Sequence, residues 1–121
     1  MADGLKIVFV VDDDDAAREA TAFLLRAEGH RVESYARATE FLDAVADRDG
    51  CAVLDMHMPD LDGLEAARQL GLGRGSRLPV ILVTGDVDLP ERPLGIFDVL
   101  PKPLDDERLL ASVERALADA R

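Results

Sequence analysis

Residues 7–15 read IVFVVDDDD, five β-branched or aromatic residues followed at once by four aspartates. A continuous apolar run of this length, with no polar residue alternating, is typical of a parallel strand that is covered on both faces. We therefore predict a buried central strand at residues 7–11. Its carboxyl end carries a concentrated negative charge.

Short apolar runs and helical spacings alternate along the rest of the chain. A first helix that ends near Glu28, before Gly29, is predicted from apolar residues at helical spacing: Ala16, Ala20, Phe23, Leu24 and Ala27. Further strands are predicted at residues 31–35, 51–54, 80–83 and 96–100. Further helices are predicted from the apolar stripes Ala38, Phe41, Leu42 and Val45, then Leu64, Ala67 and Leu70, and finally Leu109, Val113, Ala116, Leu117 and Ala120.

This alternation predicts the α/β class, with a doubly wound, five-stranded parallel sheet and helices on both faces. The fourth crossover is the exception. Residues 86–95 should hold a helix, but Pro90 and Pro93 leave room for about one turn. We expect helix four to be truncated or irregular.

The composition argues against a secreted, membrane-bound or nucleic-acid-binding protein. The 121 residues fit a single domain spanning 1–121, and a net charge of −11 opposes contact with nucleic-acid phosphates. Cys51 is the only cysteine, and the first residues lack the pattern of a secretory signal. The apolar runs are too short to span a bilayer. We expect a cytoplasmic protein that binds neither membrane nor nucleic acid directly.

Polar side chains stand where four predicted strands end. Asp12 and Asp13 follow the first strand, Asp55 the third, Thr84 closes the fourth and Lys102 lies just past the fifth. Capping of a helix accounts for Asp14 and Asp15 better than for Asp12 and Asp13. Carboxylates about 4 Å apart repel by about 4 kcal/mol per pair at an effective dielectric constant near 20. A converging cluster therefore favours a bound cation, and oxygen ligands suit Mg²⁺.

Five segments together resemble the receiver domains of two-component response regulators. They are Val10-Val-Asp-Asp13, Asp55-Met-His-Met-Pro59, Gly63, Val83-Thr-Gly85 and Lys102-Pro103, in the family's order and over essentially the whole chain. The resemblance implies a flavodoxin-like strand order 2-1-3-4-5. It also implies that Asp55 is the phospho-acceptor and that Lys102 pairs with the phosphoryl oxygens.

The resemblance assigns the remaining site residues and the partners as well. Mg²⁺ would be held by Asp12, Asp13, Asp55 and the backbone carbonyl of His57, and Thr84 would be the switch hydroxyl. The Lys102-Pro103 peptide bond would be cis. The chain would take a phosphoryl group from a histidine kinase or a histidine phosphotransfer protein and signal to a protein target. It would not be an enzyme beyond its own phosphotransfer and autodephosphorylation, and a weak homodimer is compatible with the family.

Two alternatives remain at this level. Receivers usually carry an aromatic residue three positions before the lysine, where this chain has Val99. That departure and the short 86–95 segment keep open an interaction module that is largely independent of phosphorylation, although the retained Asp55 and Lys102 argue against it. Alternatively, Asp12-x-Asp14 with Thr84 and Lys102 fits a haloacid dehalogenase-like phosphatase, although the segment from Asp55 to Pro59 then has no role.

Overall fold

The computed structural model of the chain describes residues 6–73, 78–85, 93 and 95–119, which form five strands and four helices. In chain order these are β1 (Ile7–Val11), α1 (Asp15–Ala27), β2 (Arg31–Tyr35), α2 (Ala38–Val45), β3 (Gly50–Asp55), α3 (Gly63–Gly73), β4 (Val80–Thr84), β5 (Asp98–Pro101) and α4 (Asp106–Asp119).

The strands form one sheet in the order β2-β1-β3-β4-β5, with every pairing parallel. The predicted class and strand order are confirmed. Every residue of the three inner strands, β1, β3 and β4, is buried, while the edge strands β2 and β5 are partly exposed. An apolar run without alternation is required on the inner strands because helices cover both of their faces.

Alternate residues of β1 enter two separate cores. Phe9 packs with Phe41 of α2 and Leu54 of β3, in the layer that α2 and α3 cover. Val8 and Val10 pack on the opposite side with residues of α1 and α4. The period-two geometry of a strand thus divides one apolar run between the two faces of the sheet.

Helix α1 forms as predicted, but among the apolar positions that predict it only Leu24 packs against the core, and it is half-buried. Ala22 and Leu25 are buried at 2% and 0% exposure, whereas Phe23 is 75% exposed. Ala16, Ala20 and Ala27 are exposed as well. Alanine and large apolar residues occur on all sides of this helix, so their spacing is compatible with more than one buried face. Packing against the sheet decides which of these faces is buried.

Strand boundaries differ from the predicted ones by one or two residues. β5 begins at Asp98 rather than at residue 96, because Ile96 follows a turn at Gly95 and fills the core at 6% exposure. β3 and β4 extend to include Asp55 and Thr84. The expected irregular helix at 86–95 lies outside the described residues, apart from Pro93 and Gly95. Within the described parts of the chain, none of the helices has the length and apolar character needed to cross a bilayer.

Candidate functional site

The β1–α1 loop places two aspartates at the carboxyl end of the sheet and uses a third to begin the helix. Asp14 is the N-cap of α1, and its Oδ1 accepts a hydrogen bond from the Ala17 amide at 3.1 Å. Asp12 is half-buried and Asp13 is exposed. Since Asp14 is committed to capping, it is not available as the second member of the Asp-x-Asp pair that the phosphatase alternative requires.

Asp55 is the last residue of β3 and is only 5% exposed. The Met56 amide continues the pairing with β4 by donating to the Val83 carbonyl, and the Gly63 amide donates to the Met56 carbonyl, both at 2.8 Å. A Cβ atom on Gly63 would lie 2.5 Å from Leu82 Cδ1 and 2.8 Å from the Asp55 carbonyl oxygen. Glycine therefore allows α3 to begin directly against the end of β3.

Asp12, Asp13 and Asp55 converge. Each offers a carboxylate oxygen, and these oxygens lie within 4.8 Å of one another. Burial raises the pKa of Asp12, and the charges of Asp55 and Asp13 raise it further, against the lowering effects of the Asp14 amide and of Lys102. Asp55 Oδ1 is buried without a hydrogen-bond donor in suitable geometry. An all-oxygen donor set with one such buried atom fits Mg²⁺.

Lys102 completes the cluster from the far side of β4. Its Nζ lies 2.8 Å from Asp55 Oδ1, and this contact is an ion pair rather than an aligned hydrogen bond. The carboxylate of Asp55 raises the pKa of Lys102, so the ammonium is charged at neutral pH. The Lys102 amide donates to the Thr84 carbonyl at 3.0 Å, and the Lys102-Pro103 peptide bond is cis, as the resemblance implies.

Thr84 ends β4 beside Lys102 and is 3% exposed. Gly85 follows it, and a Cβ atom there would meet only Lys102 Cβ, at 3.9 Å. Val99 is half-buried on β5 and packs against the core on the α2 and α3 side of the sheet. His57 follows the site by two residues with an exposed side chain. Five of the residues predicted from sequence thus lie at the same end of the sheet: Asp12, Asp13, Asp55, Thr84 and Lys102.

Two further residues make contacts that the sequence did not predict. Arg18 of α1 donates to the Asp12 carbonyl at 2.8 Å and to the Asp15 carboxylate at 2.7 Å. Asp60, in the loop after Asp55, accepts hydrogen bonds from the amides of Ala38 and Thr39 at the start of α2. The spacing of Asp15 and Arg18 was a visible signal for one helical pair. The other contacts join separate elements, for which the sequence offers no local signal.

The family model described as the response regulator receiver domain matches residues 8–114 of the chain. The chain is 44% identical to the transcriptional regulatory protein FixJ of Azorhizobium caulinodans over 115 residues, which cover 91% of this chain and 54% of that protein. It is 43% identical to the response regulator MprA of Mycobacterium tuberculosis, covering 91% and 50%. A receiver domain structure from Clostridium thermocellum superimposes with a TM-score of 0.86 at 27% identity, covering 95% of this chain and 96% of that one. The chain spans about half the length of these two sequence relatives.

Proposed function

The chain belongs to the receiver domains of two-component response regulators, and from this membership we propose that it accepts a phosphoryl group on Asp55. Domains of this family are signalling modules rather than enzymes that turn over an external substrate. The proposed donor is a phosphohistidine on a histidine kinase or on a histidine phosphotransfer protein. The proposed unit is the whole chain, residues 1–121.

One observation carries the proposal. Asp55 is 5% exposed, and charges of both signs lie close to its carboxylate. The Lys102 ammonium is 2.8 Å away, and the negative carboxylates of Asp12 and Asp13 belong to the same cluster. A structural ion pair would need only the lysine. The two additional carboxylates raise the electrostatic energy of the cluster, which supports a role in holding a cation.

The proposed transfer forms one bond and breaks one bond. A carboxylate oxygen of Asp55 attacks phosphorus, the P–N bond of the phosphohistidine breaks, and the imidazole nitrogen leaves with the bonding electron pair. The phosphoryl oxygens remain negatively charged after the transfer, and Lys102 would form an ion pair with one of them. A Mg²⁺ ion held by Asp12, Asp13, Asp55 and the His57 carbonyl would supply further charge neutralisation.

The phosphoryl group would leave Asp55 by hydrolysis. Water attacks phosphorus and the bond to the Asp55 oxygen breaks, which restores the carboxylate and gives inorganic phosphate. Gly85 is exposed and carries no side chain of its own beside Thr84, which supports access for this water. We propose that the Thr84 hydroxyl contacts a phosphoryl oxygen and that His57 affects the rate of hydrolysis.

The downstream step is proposed by comparison with a relative. FixJ is named a transcriptional regulatory protein, and this chain matches 54% of its length. We propose that this chain, likewise, controls an output partner through a surface that changes upon phosphorylation. Its net charge of −11 favours a protein partner over direct contact of this domain with nucleic acid.

A phosphate-independent interaction module is the second candidate, and Val99 is the observation that favours it. A valine at this half-buried position has no ring that could rotate into space vacated by Thr84. Such a module would bind its partner equally well with or without the phosphoryl group. The intact Asp55 and Lys102 pair supports the phospho-acceptor over this alternative.

Intact mass after incubation with Mg²⁺ and acetyl phosphate tests the proposal. We expect a gain of one phosphoryl group in the wild type and none in Asp55→Asn. Asp14→Asn is the matched control, because asparagine caps a helix as well as aspartate does and the cap is retained. Labelling of Asp55→Asn at the wild-type level would exclude Asp55 as the acceptor, and an unlabelled wild type would favour the interaction module.

A further inference from the structure

Arg18 connects α1 back to the loop that carries the acidic cluster. Its Nη1 donates to the backbone carbonyl of Asp12 at 2.8 Å, and its Nη2 donates to the Asp15 carboxylate at 2.7 Å. The side chain is 15% exposed. The contact with Asp15 is an ordinary pair of adjacent helical turns. The contact with Asp12 is not, because Asp12 precedes the helix and belongs to the end of β1.

Asp12 is held at all of its polar groups. Its amide donates to the Tyr35 carbonyl at 3.1 Å, its carboxylate Oδ1 accepts from the Asp14 amide at 3.0 Å, and its carbonyl accepts from Arg18. Only the last of these three contacts comes from a side chain. The planar guanidinium holds two acceptors in a fixed relative geometry, whereas the three donors of an ammonium rotate freely about a single nitrogen.

We propose that Arg18 is a positioning residue that holds the Asp12 carboxylate in place for the divalent cation. This inference rests on the proposed function, since it requires that Asp12, Asp13 and Asp55 bind Mg²⁺. Arg18 itself does not contact the cation. It acts through the backbone of Asp12, as the residues behind metal ligands generally do.

The loss of the Arg18 charge and the loss of its contact with Asp12 should change the affinity for Mg²⁺ in opposite directions. Replacing Arg18 therefore distinguishes the two effects. A guanidinium near the cluster repels a cation, so the loss of its charge alone would tighten Mg²⁺ binding. The loss of a contact that fixes a ligand would weaken it. A weaker affinity after removal of a positive charge therefore has no simple electrostatic explanation.

Mg²⁺ titration by isothermal calorimetry on Arg18→Gln provides the measurement. We expect a dissociation constant about 10-fold higher than that of the wild type, in the range typical for residues that support metal ligands. Arg26→Gln is the matched control, because Arg26 lies on the same helix and also donates to a backbone carbonyl, that of Val32 at 3.1 Å. Arg26→Gln should bind Mg²⁺ as the wild type does.

Arg18→Lys and thermal unfolding complete the experiment. Lysine keeps the charge and can reach one of the two acceptors, so we expect an intermediate dissociation constant and a melting temperature close to that of the wild type. Unchanged or tighter Mg²⁺ binding by Arg18→Gln, or equal weakening by Arg26→Gln, would overturn the positioning role while leaving the proposed function intact. A wild type that binds no Mg²⁺ would instead refute the metal-dependent function and this inference together.

Discussion

The Lys102 ammonium lies 2.8 Å from Asp55 Oδ1 although their strands are not neighbours in the sheet. β4 separates β3 from β5, so the lysine side chain reaches across the end of β4 to the buried carboxylate. Gly85 lies beside this path, where a Cβ atom would make only an ordinary van der Waals contact with Lys102 Cβ, at 3.9 Å. The ion pair is therefore a property of three adjacent strand ends rather than of either residue alone.

Replacement of Lys102 should slow phosphorylation much more than it unfolds the protein. We expect Lys102→Gln to reduce the rate of labelling by acetyl phosphate by about 10²-fold, the lower end of the cost of removing one charge-stabilising donor at a reaction site. Lys6→Gln is the control, since Lys6 donates to the Leu117 carbonyl and lies at the opposite end of β1. Equal rates for Lys102→Gln and the wild type would contradict a role for this ammonium.

Neutralisation of Asp13 should stabilise the metal-free protein. Asp13 lies within the carboxylate cluster, so Asp13→Asn relieves repulsion that is worth about 1 kcal/mol for charges about 4 Å apart in water. Chemical denaturation in the presence of a chelator measures this gain. Asp47→Asn, an exposed position in the turn after α2, controls for the change of net charge.

The same Asp13 variant should lose the stabilisation that Mg²⁺ gives the wild type. A ligand that binds only the folded state adds about 1.4 kcal/mol at about ten times its dissociation constant. Thermal melts with and without Mg²⁺ report this difference. An Asp13→Asn protein that responds to Mg²⁺ like the wild type would show that Asp13 is not a ligand.

Two glycines at the site should respond differently to alanine. Gly63→Ala forces a Cβ atom to 2.8 Å from the Asp55 carbonyl oxygen, and we expect a loss of about 1–3 kcal/mol in the free energy of unfolding. Gly85→Ala meets only Lys102 Cβ at 3.9 Å, and we expect a change within about 0.5 kcal/mol. Urea denaturation of both variants provides the comparison, and a loss for Gly63→Ala as small as that expected for Gly85→Ala would mean that the end of β3 is less tightly packed than the structure shows.

Neighbouring apolar residues of α1 should contribute very differently to stability. Leu25→Ala removes a fully buried side chain and should lower the free energy of unfolding by about 2–5 kcal/mol. Phe23→Ala truncates a side chain that is 75% exposed, and we expect about 0.5 kcal/mol or less. Comparable losses in the two variants would place the buried face of α1 elsewhere.

The contact of Asp60 with α2 should depend on pH. Burial opposes ionisation of Asp60, but hydrogen bonds from Thr39, Leu61 and Ala38 outweigh it and lower the pKa below the ordinary 3.8. A lowered pKa in the folded state stabilises the protein above the unfolded value, and this contribution is lost as the pH falls through the folded value. The carboxylate caps α2, which suggests a contribution of about 1 kcal/mol.

Urea denaturation of the wild type and Asp60→Ala at several pH values checks this. We expect the difference in the free energy of unfolding to be constant above about pH 5 and to shrink below about pH 4. Asp60→Asn should show a smaller difference from the wild type, because its amide oxygen still accepts a hydrogen bond. A difference between wild type and Asp60→Ala that does not change with pH would contradict a charged cap.

The order of strands and helices followed from the sequence because each element carries its own periodic signal. The run at residues 7–11 is typical of a strand covered on both faces, and the parallel alternation then brought the carboxyl ends of the strands together. For that reason Asp12, Asp13, Asp55 and Lys102 could be grouped as one site from their positions at strand ends. The family's motifs agreed with the same four residues.

Tertiary packing decided what no local signal encodes. The spacing in α1 predicted a helix but not that Leu25 is buried and Phe23 exposed. The helix carries apolar residues on all of its sides, and packing against the sheet selects the side that is buried. The contacts from Arg18 to the Asp12 carbonyl and from Asp60 to the start of α2 join separate elements through backbone groups. Every residue carries such groups, so the sequence cannot distinguish which of them a side chain will reach until the chain has folded.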